Sequence, residues 1–275
     1  MLWVALAMTP ILYGIGDYFA GDSVKRVRPL FIVGFTSSIS ILFAYFWARF
    51  TGTLEWDTPT VLRGIVAGVF YLGANALFYL ALSKGKSAVV GAITALSIFP
   101  SLIADSFHGD LPSPQAYVGI VMIIVGVILI ALPELSGSVS KAAILFSLAA
   151  ALTLGTQYAV LGRASMTDSN VAILTQYCTA FVIVLILGIS MRTTGGISRP
   201  VMPRLIFLGV VFGLAGLLFS TAMSGINSAI ATAVVDTEPI VLAILGYFFA
   251  KQKLSPIQLV ALFVVIGGAM IASLS

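Results

Sequence analysis

Ser228-Ala-Ile-Ala-Thr-Ala-Val-Val-Asp-Thr-Glu-Pro-Ile-Val-Leu-Ala-Ile-Leu-Gly-Tyr-Phe-Phe249 is an apolar run of membrane-spanning length with Asp236 and Glu238 near its middle. A carboxylate at bilayer depth is costly. It persists where it faces a bundle interior or a water-filled cavity, finds a partner, or holds a proton. The run therefore implies a membrane-embedded chain whose other segments shelter two acids.

The rest of the chain agrees. Of its 275 residues 60% are hydrophobic and only 9% charged, with a mean hydropathy of +1.11, against about 25% charged residues in soluble proteins. Met1-Leu2-Trp3 leads directly into an apolar run with neither a basic n-region nor a small-residue cleavage site, so the first segment is expected to be a retained span. Cys178 is the only cysteine, which excludes an intramolecular disulfide and a Cys-rich metal site. The net charge of +4 resides in short connections, where basic residues orient a protein in the bilayer. Lipid is the expected surrounding, and nucleic acid is not an expected partner.

Windows of about 20 apolar residues, enough to cross about 30 Å of hydrocarbon, recur at roughly 2–21, 29–50, 61–83, 87–107, 114–133, 141–162, 170–191, 204–224, 227–249 and 255–274. The tightest connection between windows is Gly225-Ile226-Asn227. Eleven of the fourteen Lys and Arg fall in alternate connections: Lys25, Arg26 and Arg28; Lys84 and Lys86; Lys141; Arg192, Arg199 and Arg204; Lys251 and Lys253. The positive-inside rule puts that side in the cytoplasm and both termini opposite.

An internal repeat runs through the windows. Ser87-Ala-Val-Val-Gly-Ala-Ile-Thr-Ala-Leu-Ser-Ile-Phe-Pro100, Leu111-Pro-Ser-Pro-Gln-Ala-Tyr-Val-Gly119 and Val125-Gly-Val-Ile-Leu-Ile-Ala131 are matched by Ser228 to Pro239, Leu254-Ser-Pro-Ile-Gln-Leu-Val260 and Ile266-Gly-Gly-Ala-Met-Ile-Ala272. The match pairs Pro100 with Pro239 and Ser113-Pro114 with Ser255-Pro256. Tyr13-Gly14 lies more weakly against Leu154-Gly155. The expected fold is an all-α membrane protein of ten transmembrane helices in two inverted five-helix repeats, about 1–135 and about 138–275. An odd number of spans per copy makes the copies opposite in topology, the plan of alternating-access transporters.

Tyr79-Leu-Ala-Leu-Ser-Lys-Gly-Lys-Ser-Ala88, Phe99-Pro100, Ser113-Pro114, Asn227-Ser228-Ala229, Glu238-Pro239 and Leu254-Ser-Pro256 resemble the repeat of the drug/metabolite transporter superfamily. The duplication resembles its EamA-like ten-helix branch, which includes amino-acid exporters of the YddG type. The resemblance implies secondary export of small metabolites, amino acids or related amines first among them. The chain departs from the branch at Phe107-His108-Gly109-Asp110 and Phe249-Ala250-Lys251-Gln252, where the family has an acidic turn after the fourth span of each copy. Family habit also places both termini in the cytoplasm, against the charge count.

Asp236 and Glu238 stand about 200° apart on an ideal helix and are expected on different faces. Either is a coupling candidate, with a protonated acid bonded to backbone freed by Pro239 as the structural alternative. Glu238 is read as scaffold beside that proline and Asp236 as the better functional acid. Asp17 faces the interior with Tyr13 or pairs with Lys25 or Arg26. Thr94, Ser97, Ser101, Asp105 and His108 recur at helical spacing as one polar stripe, with Asp105 a further coupling candidate and the hydroxyls alternatively joining helices. Tyr13, Tyr71, Tyr79, Tyr158 and Tyr177, with Asn75, Gln157 and Gln176, are read as pocket or packing. The substrate set is Tyr13, Asp17, Tyr71, Asn75, Tyr79, Thr94, Ser97, Gln157, Tyr158 and Asp236.

One His and one Cys supply no metal site, and no Walker-type phosphate loop or cofactor motif occurs. An enzyme is not expected, since a single His offers no catalytic cluster. Anionic sugar phosphates or nucleotide sugars would need midspan cations. Proton-coupled efflux of drugs or amines and a passive channel stay open.

Overall fold

Pro100 and Pro239 decide how the bundle is built. Proline has no N–H to give the carbonyl four residues earlier, so Leu96 and Val235 each lose a helical partner. Both helices break there. In the computed structural model, which describes residues 1–24, 27–51, 54–85, 87–132, 140–190, 201–250 and 255–273, α4 (Ser87–Thr94) passes through a 3₁₀ turn at Ala95–Ser97 into α5 (Ile98–Phe107). In the second half α9 (Ser228–Val235) stops before Asp236, and α10 (Glu238–Ala250) starts two residues later.

The remaining helices are α1 (Leu2–Ser23), α2 (Pro29–Thr51), α3 (Thr58–Leu82), α6 (Pro114–Ala131), α7 (Lys141–Ser190), α8 (Met202–Met223) and α11 (Pro256–Ser273). No strand occurs among the described residues. Their starts follow from local chemistry. Asp57, Ser113 and Asn227 cap α3, α6 and α9 by accepting N–H bonds from the first turn, the usual remedy for the orphan donors of a helix start. At α11, Ser255 and Gln258 bond each other reciprocally, a capping box written in the sequence as Ser-x-x-Gln.

Among the described residues, seven stretches are long and apolar enough to cross a membrane: Leu2–Gly21, Pro29–Thr51, Thr58–Leu82, Val89–Phe107, Lys141–Gly188, Met202–Met223 and Ser228–Phe249. Pro114–Leu129 and Pro256–Ala272 are shorter apolar helices. A connection was expected at 163–169, between the sixth and seventh windows, and the break falls inside it at Asp168, with helix running up to it on either side. Only Asp168 leaves helical geometry, at φ −147° and ψ 106°. Gln157 Nε2 nevertheless donates to Gln176 Oε1 at 2.8 Å, whereas a straight helix would hold them about 28 Å apart. The two arms of α7 thus fold back on each other at Asp168. Its carboxylate accepts from the N–H groups of Asn170 and Val171, starting the second arm, and of Glu55.

The halves interlock through glycines used reciprocally. A Cβ at Gly155 in α7 would overlap the Ser97 carbonyl and press on Pro100, and one at Gly14 in α1 would press on Val241 and the Glu238 carbonyl. Each first helix therefore sits on the other half's break. Similarly, Gly64 and Gly68 of α3 meet the second arm of α7, Gly209 and Gly213 of α8 meet α2, and Gly119 lies on Gly268 where α6 crosses α11.

Gly155→Ala is expected to lower stability by about 1–3 kcal/mol, the usual cost of overpacking. Gly73→Ala, where a Cβ meets nothing within 4 Å, should be neutral or slightly stabilising. Thermal unfolding in detergent compares the two.

The Asp57 cap adds a pH dependence. Thr60's hydroxyl and N–H hold the Asp57 carboxyl below its usual range. Because the folded value is the lower one, the cap's contribution is present above the unfolded pKa and fades as pH falls through the folded one. Amide-exchange protection at the start of α3 should weaken in acid, and Asp57→Asn should flatten that profile.

Candidate functional site

A cavity of about 430 Å³ of atom-free space, part of it continuous with solvent, lies among α1, α3, the first arm of α7, α8 and α10. Its lining is Tyr13, Asp17, Tyr71, Asn75, Phe78, Leu154, Gln157, Tyr158, Phe212 and Glu238. Asp17 and Glu238 come from opposite halves, and both line this cavity. Two carboxyl groups that share one cavity repel each other when both are ionised.

The break at Asp236–Thr237 puts Glu238 there. On the ideal helix assumed from sequence, the two acids of this span point apart along one cylinder. In the structure Asp236 ends α9 and Glu238 opens α10. Asp236 turns to the other half, where its Oδ2 accepts from Ser97 Oγ at 2.6 Å. Glu238 turns into the cavity.

Aromatic rings form the walls. Tyr13 packs on Phe212 with centroids 6.1 Å apart, Tyr71 stands edge-on to Tyr177 at 5.5 Å, and Tyr158 meets Phe219 at 4.9 Å. Gln157 is held by its bond to Gln176, and Asn75 donates to the Tyr71 carbonyl. The described lining includes no Lys, Arg or His.

Of the residues singled out in the sequence, Tyr13, Asp17, Tyr71, Asn75, Gln157, Tyr158 and Glu238 meet at this cavity. Tyr79 is buried beside Phe78 and does not line it. Thr94 spends its hydroxyl on the carbonyls of Val90 and Gly91. Ser97 and Asp236 hold each other. Ser101 bonds the Gly155 carbonyl and the Thr232 hydroxyl. Asp105 receives Ser228 and the Ala229 N–H. His108 is exposed at the end of the stripe, its Nδ1 2.8 Å from the Ala104 carbonyl. Tyr177 is buried and donates to the Phe212 carbonyl. Lys25 and Arg26, the sequence partners considered for Asp17, lie outside the described residues, as do Lys86, Arg192, Arg199, Lys251 and Lys253. Phe78, Leu154 and Phe212 line the cavity without having been singled out; as apolar residues in apolar helices they carry no sequence mark.

A helical, multi-pass membrane protein built of two interlocked halves around an internal polar cavity is the class that fold and site define. The EamA-like transporter family matches residues 1–132 and again 141–274, and this chain belongs to that family, whose members are membrane transporters of the drug/metabolite superfamily. An uncharacterized protein of Methanocaldococcus jannaschii is 29% identical over 133 residues, 46% of this chain and 92% of that protein. A solved crystal structure, described without a function, aligns over 98% of this chain and 95% of its own with a TM-score of 0.78 and 18% identity. That likeness concerns the fold alone.

Ser97→Ala should destabilise the protein by about 1–3 kcal/mol, the cost of stripping a buried polar group of its partner. Asp236→Asn, which keeps an acceptor for Ser97, should cost less, and the order of the two melting temperatures checks it.

Proposed function

We propose that the protein is a secondary active exporter of small amine-bearing metabolites, coupled to protons through Asp17 and Glu238. The observation that supports this reading most is that two acids, one from each half, line a single aromatic-walled cavity. A protonated amine entering between the acids replaces their shared proton, and the ring faces favour its charge. Proton and substrate then compete for one place, which is the simplest basis for exchange. No cation stands among the described lining residues to receive a phosphate, which disfavours sugar phosphates and nucleotide sugars.

Amino acids are the second reading. The family resemblance favours them, and Asn75, Gln157 and the tyrosine hydroxyls offer donors for a carboxylate. Asp236, the acid preferred from sequence, is outside the cavity lining but within electrostatic reach of Tyr158. In this reading it belongs to the support of the site.

The proposed architecture has ten spans, counting both arms of α7 and the two shorter apolar helices, in two inverted repeats of about 1–135 and 138–275. The halves rock about the central site in alternating access. Basic connections mark the cytoplasmic side of a bacterial inner membrane.

Counterflow in proteoliposomes against a panel of amines, amino acids and sugars tests the substrate class. Amines should compete best, and competition by sugars alone would overturn the reading. Glu238→Gln and Asp17→Asn should each abolish pH-gradient-driven accumulation, while Asp236→Asn should retain it in part. Undiminished accumulation in Glu238→Gln rules out coupling through this pair.

A further inference from the structure

At one end of the bundle a set of polar contacts crosses between the halves. Ser228 Oγ lies 2.8 Å from each carboxylate oxygen of Asp105, and the Ala229 N–H donates to Asp105 Oδ2 at 3.0 Å. Arg163 Nη1 is 2.6 Å from Asp110 Oδ2, and its Nη2 is 3.8 Å from Asp105 Oδ1. Asn227 Nδ2 donates to the Asp110 carbonyl at 2.6 Å. Asp105 and Asp110 belong to the first matched segment, and Arg163, Asn227, Ser228 and Ala229 to the second. Asp105 is almost fully buried, so its charge rests on the start of α9, where orphan N–H groups and the helix dipole favour an anion, and on Arg163.

The described residues of the opposite end show ring contacts. Counting forward by the 139 residues that separate Pro100 from Pro239, Asp105 and Asp110 fall on Ile244 and Phe249. Neither can form an ion pair. Phe249 instead packs near Tyr18 and Phe19, and Phe19 meets Phe207.

The cavity also sits off centre. Phe78 is four residues from the end of α3 and Asp17 six from the end of α1, both at the aromatic end. Toward the polar end, Tyr158 is five residues short of Arg163 and Glu238 ten beyond Ser228, roughly 7 Å and 15 Å of helix rise. Between them lie further contacts across the halves, from Ser101 to Thr232 and from Ser97 to Asp236.

We propose that Asp105, Arg163, Asp110, Asn227 and Ser228 form a latch that shuts this mouth, so that the state described here is closed at this end and reaches its second state by breaking the latch. The inference rests on the alternating-access reading above. The latch makes closure at this end electrostatic and hydrogen-bonded.

Two cysteine reporters in a Cys178→Ser background test it in oriented vesicles. Ser101→Cys lies one turn inside the latch, and Asn75→Cys lies in the cavity toward the aromatic mouth. A membrane-impermeant thiosulfonate is added on one side at a time. Asp105→Asn, Ser228→Ala and Arg163→Gln should each speed labelling of Ser101→Cys from the latch side by about tenfold, the shift produced by losing a charge-assisted hydrogen bond, and should slow labelling of Asn75→Cys from the other. Arg163→Lys should change little. Unchanged labelling of Ser101→Cys in all three overturns the latch. Faster labelling there with Asn75→Cys unaffected keeps the latch and removes alternating access, and neither readout uses a transported ligand.

If the variants unfold and both rates rise, the decision passes to Asp110→Cys with Asn227→Cys. Its oxidised form should show slower amide exchange at the start of α9 than its reduced form, and identical exchange overturns the proposal.

Discussion

The hydrogen bond from Ser97 to Asp236 joins the two places where the helices of the bundle are broken. The residues are 139 positions apart, the interval that separates Pro100 from Pro239, so each is the other's counterpart in the repeat. A position meets its own counterpart only near the axis relating two copies, as in any isologous contact. The copies differ here in a way that helps the contact, since two ionised aspartates would repel. One of each gives a short hydrogen bond, donated by Ser97 to Asp236, in an apolar interior where such bonds are strong.

The rest of the bundle accommodates this crossing. Proline leaves an unpaired carbonyl in each broken helix, and a break in lipid-like surroundings is tolerable only when buried in protein. Gly14 and Gly155 let the first helix of each half close over the other half's break. The price of two interrupted spans is thus met by close packing, and the interruption delivers the functional geometry. Around it Asp236 reaches Ser97 of the other half, and Glu238 lines the cavity that Asp17 also lines.

Much of the fold was legible because its signals are local and repeated. Apolar run lengths, the Ser-Pro and Ser-x-x-Gln helix starts, and the two Phe-Pro or Glu-Pro breaks are written in neighbouring residues. The bend inside α7 falls at Asp168, within the connection expected at 163–169. What the sequence did not show is its partner: the Asp168 carboxylate caps the second arm and also accepts from the distant Glu55 N–H. Seven polar residues singled out by sequence meet at the cavity, since polar groups in apolar helices stand out. Phe78 and Phe212 do not stand out, for phenylalanine belongs equally to lipid-facing and packed surfaces.

The sequence by itself determined that the chain lies in a membrane, that it is duplicated, and that acids must be sheltered within it, because hydropathy, repetition and the cost of burying charge depend on residue identity alone. Which acid faces a cavity, which one is bound to a serine, and which mouth carries the ion pairs were decided only in the tertiary structure. The reason is physical. An ideal helix fixes the angle between Asp236 and Glu238 only while it stays intact, and the break that resets that angle is stabilised by groups from the other half of the chain.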